Sequence, residues 1–379
     1  MRIGIDARAL SSTLTGIGYY LLNILRSWEP LIQGDEIFLY ASEDFPWLIR
    51  GPGWHKRVGH GPLARNGTLW FYTQGNTFVQ KDQLDVFWAP WPVLIVSGRF
   101  KRAISLHDFT WRAFPETMKF SQKILFQTLG EMSLHQADAI FADSQSTLNQ
   151  LDQTNLTARH VLLTYLGLDP QFFPRDPATS AQKIAQKYGT TKKYILNVGT
   201  IEPRKNLVTL LRAFKRLKEK QAVPHQLLVA GTRGWKASPI YAEHRKLGLQ
   251  DSVKFLGYVD PEDLPALYSG AELFAFPSLY EGFGEPVLEA MACGCPVVTS
   301  NTSSIPEILG GCGLLCPPLS ISEWEGSILR LLTDEPLRQS LSTAGIKRAR
   351  NFTWGQTAKT IWTTLHSLGR NRNLSREGA

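Results

Sequence analysis

The chain has 379 residues, 43% hydrophobic and 20% charged, with a net charge of +8. That length exceeds one ordinary core and fits two domains of comparable size, and the composition excludes a disordered or fibrous chain. The cationic excess points to an anionic partner, for which nucleic acid, acidic lipid and a diphosphate all qualify.

In chain order, Arg2 to Asp6 reads as a short strand, and Asp6 and Arg8 stand where a signal peptide needs an apolar run. The loop Gly16-Ile17-Gly18 then opens a helix with Ile17, Tyr20, Leu21, Ile24, Leu25 and Trp28 on one face. Leu21 stands where a dinucleotide fingerprint needs its third glycine, so Gly16 and Gly18 face a ligand or simply form a helix-entry turn; both readings stay open. Glu36 to Tyr40 is a strand. The stretch from Ser42 to Val93 reads as irregular, with Trp47, Trp54, Trp70, Phe71, Tyr72, Trp88 and Trp91 interleaved with Arg50, Lys56, Arg57 and Arg65. Such a mixture touches sugars, sits at a membrane interface, or packs inside, the last being the commoner fate. Val86 to Pro90 ends a strand, and Arg102 to Leu106 is another, with His107-Asp108 at its carboxyl end, where ligands of open parallel sheets gather. A helical region, Phe120 to Gln136, precedes the strand Ala139 to Ala142 and the turn Asp143-Ser144-Gln145-Ser146.

PQFFPRDPATS, from Pro170 to Ser180, reads as a linker. After it, the strand Tyr194 to Val198 leads to Arg204 and Lys205 in a loop. The following helix carries Leu207, Leu210, Leu211, Phe214 and Leu217 on one face. Two cations at such a position can neutralise a diphosphate leaving group. Further strands follow at Gln226–Ala230 and Val253–Leu256. The stretch AFPSLYEGFGEPVLEAMACGCPVV, Ala275 to Val298, then gives a strand end, a loop, a helix and the next strand. Pro286 suits the first helical turn, and Gly294 ends the helix. Gly282 and Gly284 let the backbone approach a ligand, and a helix N-terminus with free backbone N–H groups favours a diphosphate. Glu281 and Glu289, with seven residues between them, can accept hydrogen bonds from hexose hydroxyls and a ribose diol respectively. All four cysteines fall between Cys293 and Cys316, at spacings unlike a zinc ribbon, and are expected to be inert buried thiols. Ala358, Ile361, Trp362 and Leu365 mark a buried stripe on a last helix.

The E-x(7)-E frame of Glu281 and Glu289 within EGFGEPVLEAMACGCPVV resembles the signature of retaining glycosyltransferase family 4. The opening DARAL…TGIGYY, the His107-Asp108 pair, ADSQST and Arg204-Lys205 extend that resemblance over nearly the whole chain. It implies an α/β fold of the GT-B type, with two doubly wound Rossmann-like domains facing across a cleft. Residues 1–170 would form the N-terminal acceptor-side domain and 171–353 the nucleotide-sugar-binding domain. The helix of about 354–379 would cross back onto the first. By resemblance His107 contacts the donor sugar, Lys205 neutralises the leaving diphosphate, and that phosphate assists the acceptor. Thr200 stands where the family usually has an arginine, so Arg204 is expected to supply that charge. Glu285 replaces a usual aliphatic residue and is expected to face solvent.

The expected protein is therefore a metal-independent hexosyltransferase without a cofactor, its catalytic group being His107, Glu281, Arg204 and Lys205. The donor would be held by Gly16, Gly18, Gly282, Phe283, Gly284, Pro286, Val287 and Glu289. The look is closest to bacterial polysaccharide mannosyltransferases, which implies GDP-mannose and a glycan or lipid-linked acceptor. No run approaches the ~18 apolar residues of a membrane span, so the expected location is the cytoplasm, with peripheral contact on an anionic inner membrane face and no nucleic acid partner. The alternatives are another donor such as UDP-glucose with a soluble acceptor, a nucleotide-sugar epimerase, and a non-catalytic protein that binds an anionic ligand.

Overall fold

The computed structural model describes residues 1–379 apart from 12–13, 47–50, 95, 153–157, 159, 191–192, 222 and 378–379. Trp47 and Arg50 of the aromatic and basic stretch thus lie outside the described residues. Seven strands form the first sheet: β1 (Arg2–Asp6), β2 (Glu36–Ala41), β3 (Trp54–Val58), β4 (Val86–Ala89), β5 (Lys101–Leu106), β6 (Ala139–Ala142) and β7 (His160–Leu163). All its pairings are parallel, in the order β3-β2-β1-β4-β5-β6-β7. Ile3 of β1 stands in register with Ile37 of β2 on one side and Val86 of β4 on the other. Every residue of β4 (VFWA) and β6 (AIFA) is buried. Helices cover both faces of such a sheet, so its central strands read as continuous apolar runs instead of alternating.

Six further strands form a second parallel sheet: β8 (Tyr194–Val198), β9 (Gln226–Ala230), β10 (Val253–Gly257), β11 (Leu273–Phe276), β12 (Val297–Ser300) and β13 (Leu314–Cys316). Their order is β10-β9-β8-β11-β12-β13. In each sheet the chain starts in the middle, winds to one edge, then returns to fill the other side. The order therefore reverses between β1 and β4, and again between β8 and β11. Each sheet is doubly wound, and the crevice beyond those neighbouring strand ends is where such folds hold ligands.

Packing divides the chain into two units, one of Met1–Ala113, Phe120–Gly167 and Thr353–Ala379, the other of Phe114–Lys119 and Leu168–Phe352. The last helix, Trp354–Glu377, belongs to the first unit, where the Trp28 indole N–H donates to the Ala358 carbonyl at 2.8 Å. Its stripe of Ala358, Ile361, Trp362 and Leu365 is at most 8% exposed. In the second unit the helix Leu207–Gln221 buries Leu207, Leu210, Leu211, Phe214 and Leu217 to 1% exposure or less. Phe114–Lys119 packs with the second unit: the Phe114 ring lies 5.6 Å from that of Tyr280, and Trp235 donates its indole N–H to the Thr117 carbonyl.

The stretch expected to be irregular holds an edge strand, β3, which Trp54-His55-Lys56-Arg57-Val58 does not announce because an edge strand needs no alternating apolar face. Its cations are used locally: Lys56 pairs with Asp44 at 3.0 Å and Arg57 with Asp82 at 2.7 Å. Trp70, Phe71 and Trp88 are at most 1% exposed and belong to the core, whereas Tyr72 is 49% exposed and Trp54 and Trp91 are half-buried. The four cysteines are buried free thiols, and burial pushes Cys293 up to about 12.

Candidate functional site

In the second unit the site grows from the loops after β8 and β11, the neighbouring strands at the point of reversal. After β8 the chain turns through Pro203–Lys205 and stops at Asn206, whose left-handed backbone (φ +52°) ends the turn. Its side-chain amide donates to the carbonyls of Pro277 at 3.1 Å and Pro318 at 2.7 Å. The loop after β11 is fastened to the same turn. Leu279 N–H donates to the Arg204 carbonyl at 2.9 Å, and Arg204 Nη1 donates to the Tyr280 carbonyl at 2.6 Å. These bonds hold Arg204 and Lys205 against Glu281.

Glu281 is 8% exposed and fully gripped. Oε1 accepts from Lys205 Nζ and from Ser278 Oγ, both at 2.6 Å, and Oε2 accepts from Arg204 Nη1 at 3.0 Å. Ser303 Oγ accepts from its backbone N–H at 2.9 Å, and Ser304 Oγ donates to its carbonyl at 3.0 Å. Burial would raise its pKa, but the adjacent Lys205 and Arg204 charges hold it down to about 2. Glu202, 2% exposed, forms a second pair with Arg204 at 2.9 Å, and burial raises its pKa.

Gly284 enters the helix Glu285–Ala292 at φ +103°, a backbone conformation that only glycine adopts without strain. Val287 is fully buried and Phe283, 4% exposed, meets Phe352 edge-on at 5.9 Å. Their side chains thus build the core, and what they can offer a ligand is backbone. Glu289, half-buried, accepts the Tyr268 hydroxyl proton at 2.8 Å. Desolvation first, then the charge of Glu285, pushes its pKa up to about 8. Glu285 does not simply face solvent: it is half-buried one helical turn before Glu289, on the same side of the helix.

The other predicted residues lie in the first unit. His107, at the end of β5, has both ring nitrogens engaged: Nδ1 with Asp143, and Nε2 with the Pro90 carbonyl at 2.8 Å. Burial would lower its pKa, but the Asp143 carboxylate raises it to about 9. With an acceptor on each side, the imidazolium is the form that satisfies both bonds. The Tyr20 ring closes the site edge-on at 4.9 Å. Gly16 starts the helix Gly16–Trp28 and is exposed. Gly18 is buried, and a Cβ there would lie 2.8 Å from the Ala9 carbonyl oxygen, so packing alone demands that glycine.

The structure therefore brings Glu281, Arg204 and Lys205 together, with Gly282, Gly284 and Pro286 on the adjoining loop and helix start. Glu289 stands apart with Tyr268. Sequence reasoning missed Ser278, Glu202, Tyr268 and the partnership of Asp143 with His107. Ser278 and Asp143 are polar residues just beyond the ends of β11 and β6, a position that marks them as candidates. Tyr268 sits on another helix, and nothing in its neighbourhood announces the contact. Among the described residues no group of three or more His, Cys, Asp or Glu is placed to hold a metal ion.

Comparison with known proteins bears on the family and the fold. Residues 180–348 match the family described as "Glycosyl transferases group 1". The chain is 30% identical over 373 residues to O-antigen chain mannosyltransferase B of Escherichia coli, covering 93% of this chain and 96% of that one. It is 33% identical over 230 residues to the serotype-specific mannosyltransferase WbdA of Escherichia coli, covering 59% of this chain and 28% of WbdA. Among solved structures, sucrose-phosphate synthase of Thermosynechococcus elongatus superposes with a TM-score of 0.77 at 19% identity, covering 97% of this chain and 98% of that one. HepE of Anabaena, in complex with UDP and glucose, does so at 0.76 and 20% identity, covering 97% and 99%. The fold shared with these is GT-B.

Proposed function

Because this chain belongs to the group 1 glycosyl transferases and is a glycosyltransferase, we propose that it is a retaining enzyme. It moves mannose from GDP-mannose to a hydroxyl of a glycan or lipid-linked acceptor in surface polysaccharide synthesis. The observation that carries the reading is the grip of Arg204 and Lys205 on Glu281 where the second sheet reverses. Mannose and polysaccharide are supported by the names of the relatives, an O-antigen chain mannosyltransferase and a serotype-specific mannosyltransferase.

The chain's own residues divide the work. Lys205 carries three N–H donors and gives one to Glu281, so it can serve a diphosphate without leaving that carboxylate. Arg204, Lys205 and the N-terminus of the helix Glu285–Ala292 stabilise the charge that develops on the leaving group, in place of a divalent ion. Glu281 fixes both cations and, with the backbone at Gly282 to Gly284, offers oxygen and N–H groups to the hexose. Glu289 takes the ribose diol. His107 contributes a fixed positive charge.

A thermal-shift panel of nucleotide-sugars tests the donor, because a ligand of the native state raises its melting temperature. GDP-mannose is expected to give the largest shift, and transfer is expected to persist in excess chelator. A strict requirement for Mg²⁺ or Mn²⁺ would remove the role given to Lys205. A UDP donor is the second reading, favoured by the likeness to HepE solved with UDP-glucose. A larger shift with UDP-glucose than with GDP-mannose would establish it.

A further inference from the structure

β1 ends at Asp6 and β4 at Ala89, the neighbours between which the order of the first sheet reverses. A cavity of about 500 Å³ opens beyond them, lined by Asp6, Arg8, Thr15, Arg65, Asn66 and Trp91 among others. Its central feature is a cation held rigidly in place. The Arg8 side chain is 9% exposed. Its Nε donates to Asp6 Oδ1 at 2.9 Å and its Nη2 to Oδ2 at 2.6 Å, while Nη1 donates to the Gly67 carbonyl at 3.1 Å. Phe71 and Trp91 flank the guanidinium, each ring centre 4.8 Å away.

Asp6 is saturated as well. Besides Arg8 it accepts the Trp91 indole N–H at 2.9 Å and the Arg8 backbone N–H at 3.2 Å. A carboxylate with four donors is a clamp and not a base for an incoming hydroxyl. Among the described residues three of the five guanidinium N–H groups are spent on these bonds, which leaves two for a ligand. The charge count favours an anion. Asp6 cancels Arg8, Arg65 adds an exposed cation at the rim, and the helix Gly16–Trp28 begins beside them with no acidic residue in its first turn and no side-chain cap.

We propose that this cavity binds a phosphate group carried by the saccharide acceptor. A preset arginine is suited to phosphate because two of its N–H groups can meet two oxygens at once. The space exceeds what phosphate alone would fill, so part of the attached sugar enters too, against Asn66, Thr15 and Trp91. The site rests on the glycosyl-transfer reading only in calling its occupant the acceptor. The phosphate is either that of a soluble sugar phosphate or the diphosphate that joins a saccharide to a lipid.

The test is calorimetric titration of the intact protein, with saturating GDP present so that the second-unit site is filled. The probes are a water-soluble glycosyl phosphate, the same sugar without phosphate, and a short-chain prenyl diphosphoryl saccharide. At least one phosphate-bearing probe is expected to bind and to be displaced by inorganic phosphate, while the unphosphorylated sugar binds at least tenfold more weakly. Whichever probe binds more tightly identifies the source of the phosphate. Arg65→Gln, at an exposed position, is expected to weaken that binding about tenfold and leave GDP affinity unchanged. Arg8→Lys keeps the charge but loses the paired N–H geometry, and is expected to weaken it similarly. The proposal is overturned if the unphosphorylated sugar binds as well as its phosphate, or if both variants bind the phosphate probe like the parent. Phosphate binding with the expected variant losses, but no transfer from any nucleotide-sugar, would uphold the cavity and defeat the donor reading.

Discussion

Glu281 and Glu289 look interchangeable as two glutamates on one motif, yet their surroundings push their pKa values in opposite directions. Glu281 is held at about 2 by two cations, and Glu289 is pushed to about 8 by desolvation and by Glu285. Near neutral pH the first is ionised and the second largely protonated in the empty protein. A carboxylate accepts from both ribose hydroxyls better than a protonated acid does. Nucleoside diphosphate binding is therefore expected to tighten as pH rises through about 8, with proton release seen as a buffer-dependent enthalpy. Glu289→Gln should flatten that dependence, and a parent affinity independent of pH from 6 to 9 would refute the assignment of Glu289 to the ribose. The spacing of the two glutamates was legible in the sequence because it is a property of the chain. Their opposite ionisation was not, because it depends on Arg204, Lys205 and Tyr268, which reach them only through the fold.

At the scale of elements, the ion-paired loops after β8 and β11 behave as one piece. Glu281 has a folded-state pKa below its unfolded value, so its contribution is complete above about 4.5 and is lost as pH falls toward 2. Glu281→Gln leaves Lys205 and Arg204, with side chains 12% and 17% exposed, short of a buried counter-charge. The expected cost is about 3 kcal/mol at neutral pH, shrinking in acid, measured by urea unfolding at pH 7 and pH 3. A variant as stable as the parent at pH 7 would mean that the pair is not a structural tie. The sequence announced Arg204 and Lys205 as a cationic loop because both charges sit just before a helical stripe. It did not announce Asn206 as the residue that binds the loop to Pro277 and Pro318, since a left-handed asparagine looks like any other turn residue.

For the molecule as a whole, both doubly wound sheets were legible because buried parallel strands are apolar runs, as in Ala139 to Ala142 and Leu273 to Phe276. The aromatic and basic stretch from Ser42 to Val93 left three readings open in the sequence, because aromatic and basic residues look alike whether they line a surface or a core. Arg57 is tied to Asp82, and Trp70 and Trp88 are interior. The stretch still exposes Leu69 and Tyr72, at 45% and 49%, but the most exposed apolar side chain of the first unit is Phe120 at 77%, on a helical run that also carries Ile124 and Met132, each 45% exposed. Peripheral contact through Phe120 and Ile124, one helical turn apart, would bury apolar area that is exposed in the free protein. Phe120→Ser with Ile124→Ser should reduce sedimentation with anionic vesicles, and Lys56→Ser with Arg57→Ser should not. The reverse pattern would return the contact to the edge strand.

The short segment Phe114–Lys119 makes the chain cross between units four times, so neither unit is one continuous length of polypeptide. A fragment cut at 168 and 352 would lack the ring that packs on Tyr280 and the carbonyls of Glu116 and Thr117 that receive Lys236 and Trp235. Dissection at the linker should then yield a product that melts below the second unit of the intact chain. A synthetic peptide spanning residues 112–120 should restore part of the difference, and no gain with excess peptide would show the segment to be dispensable. Excision and fusion of the second unit would accordingly have to carry a six-residue insert along with it.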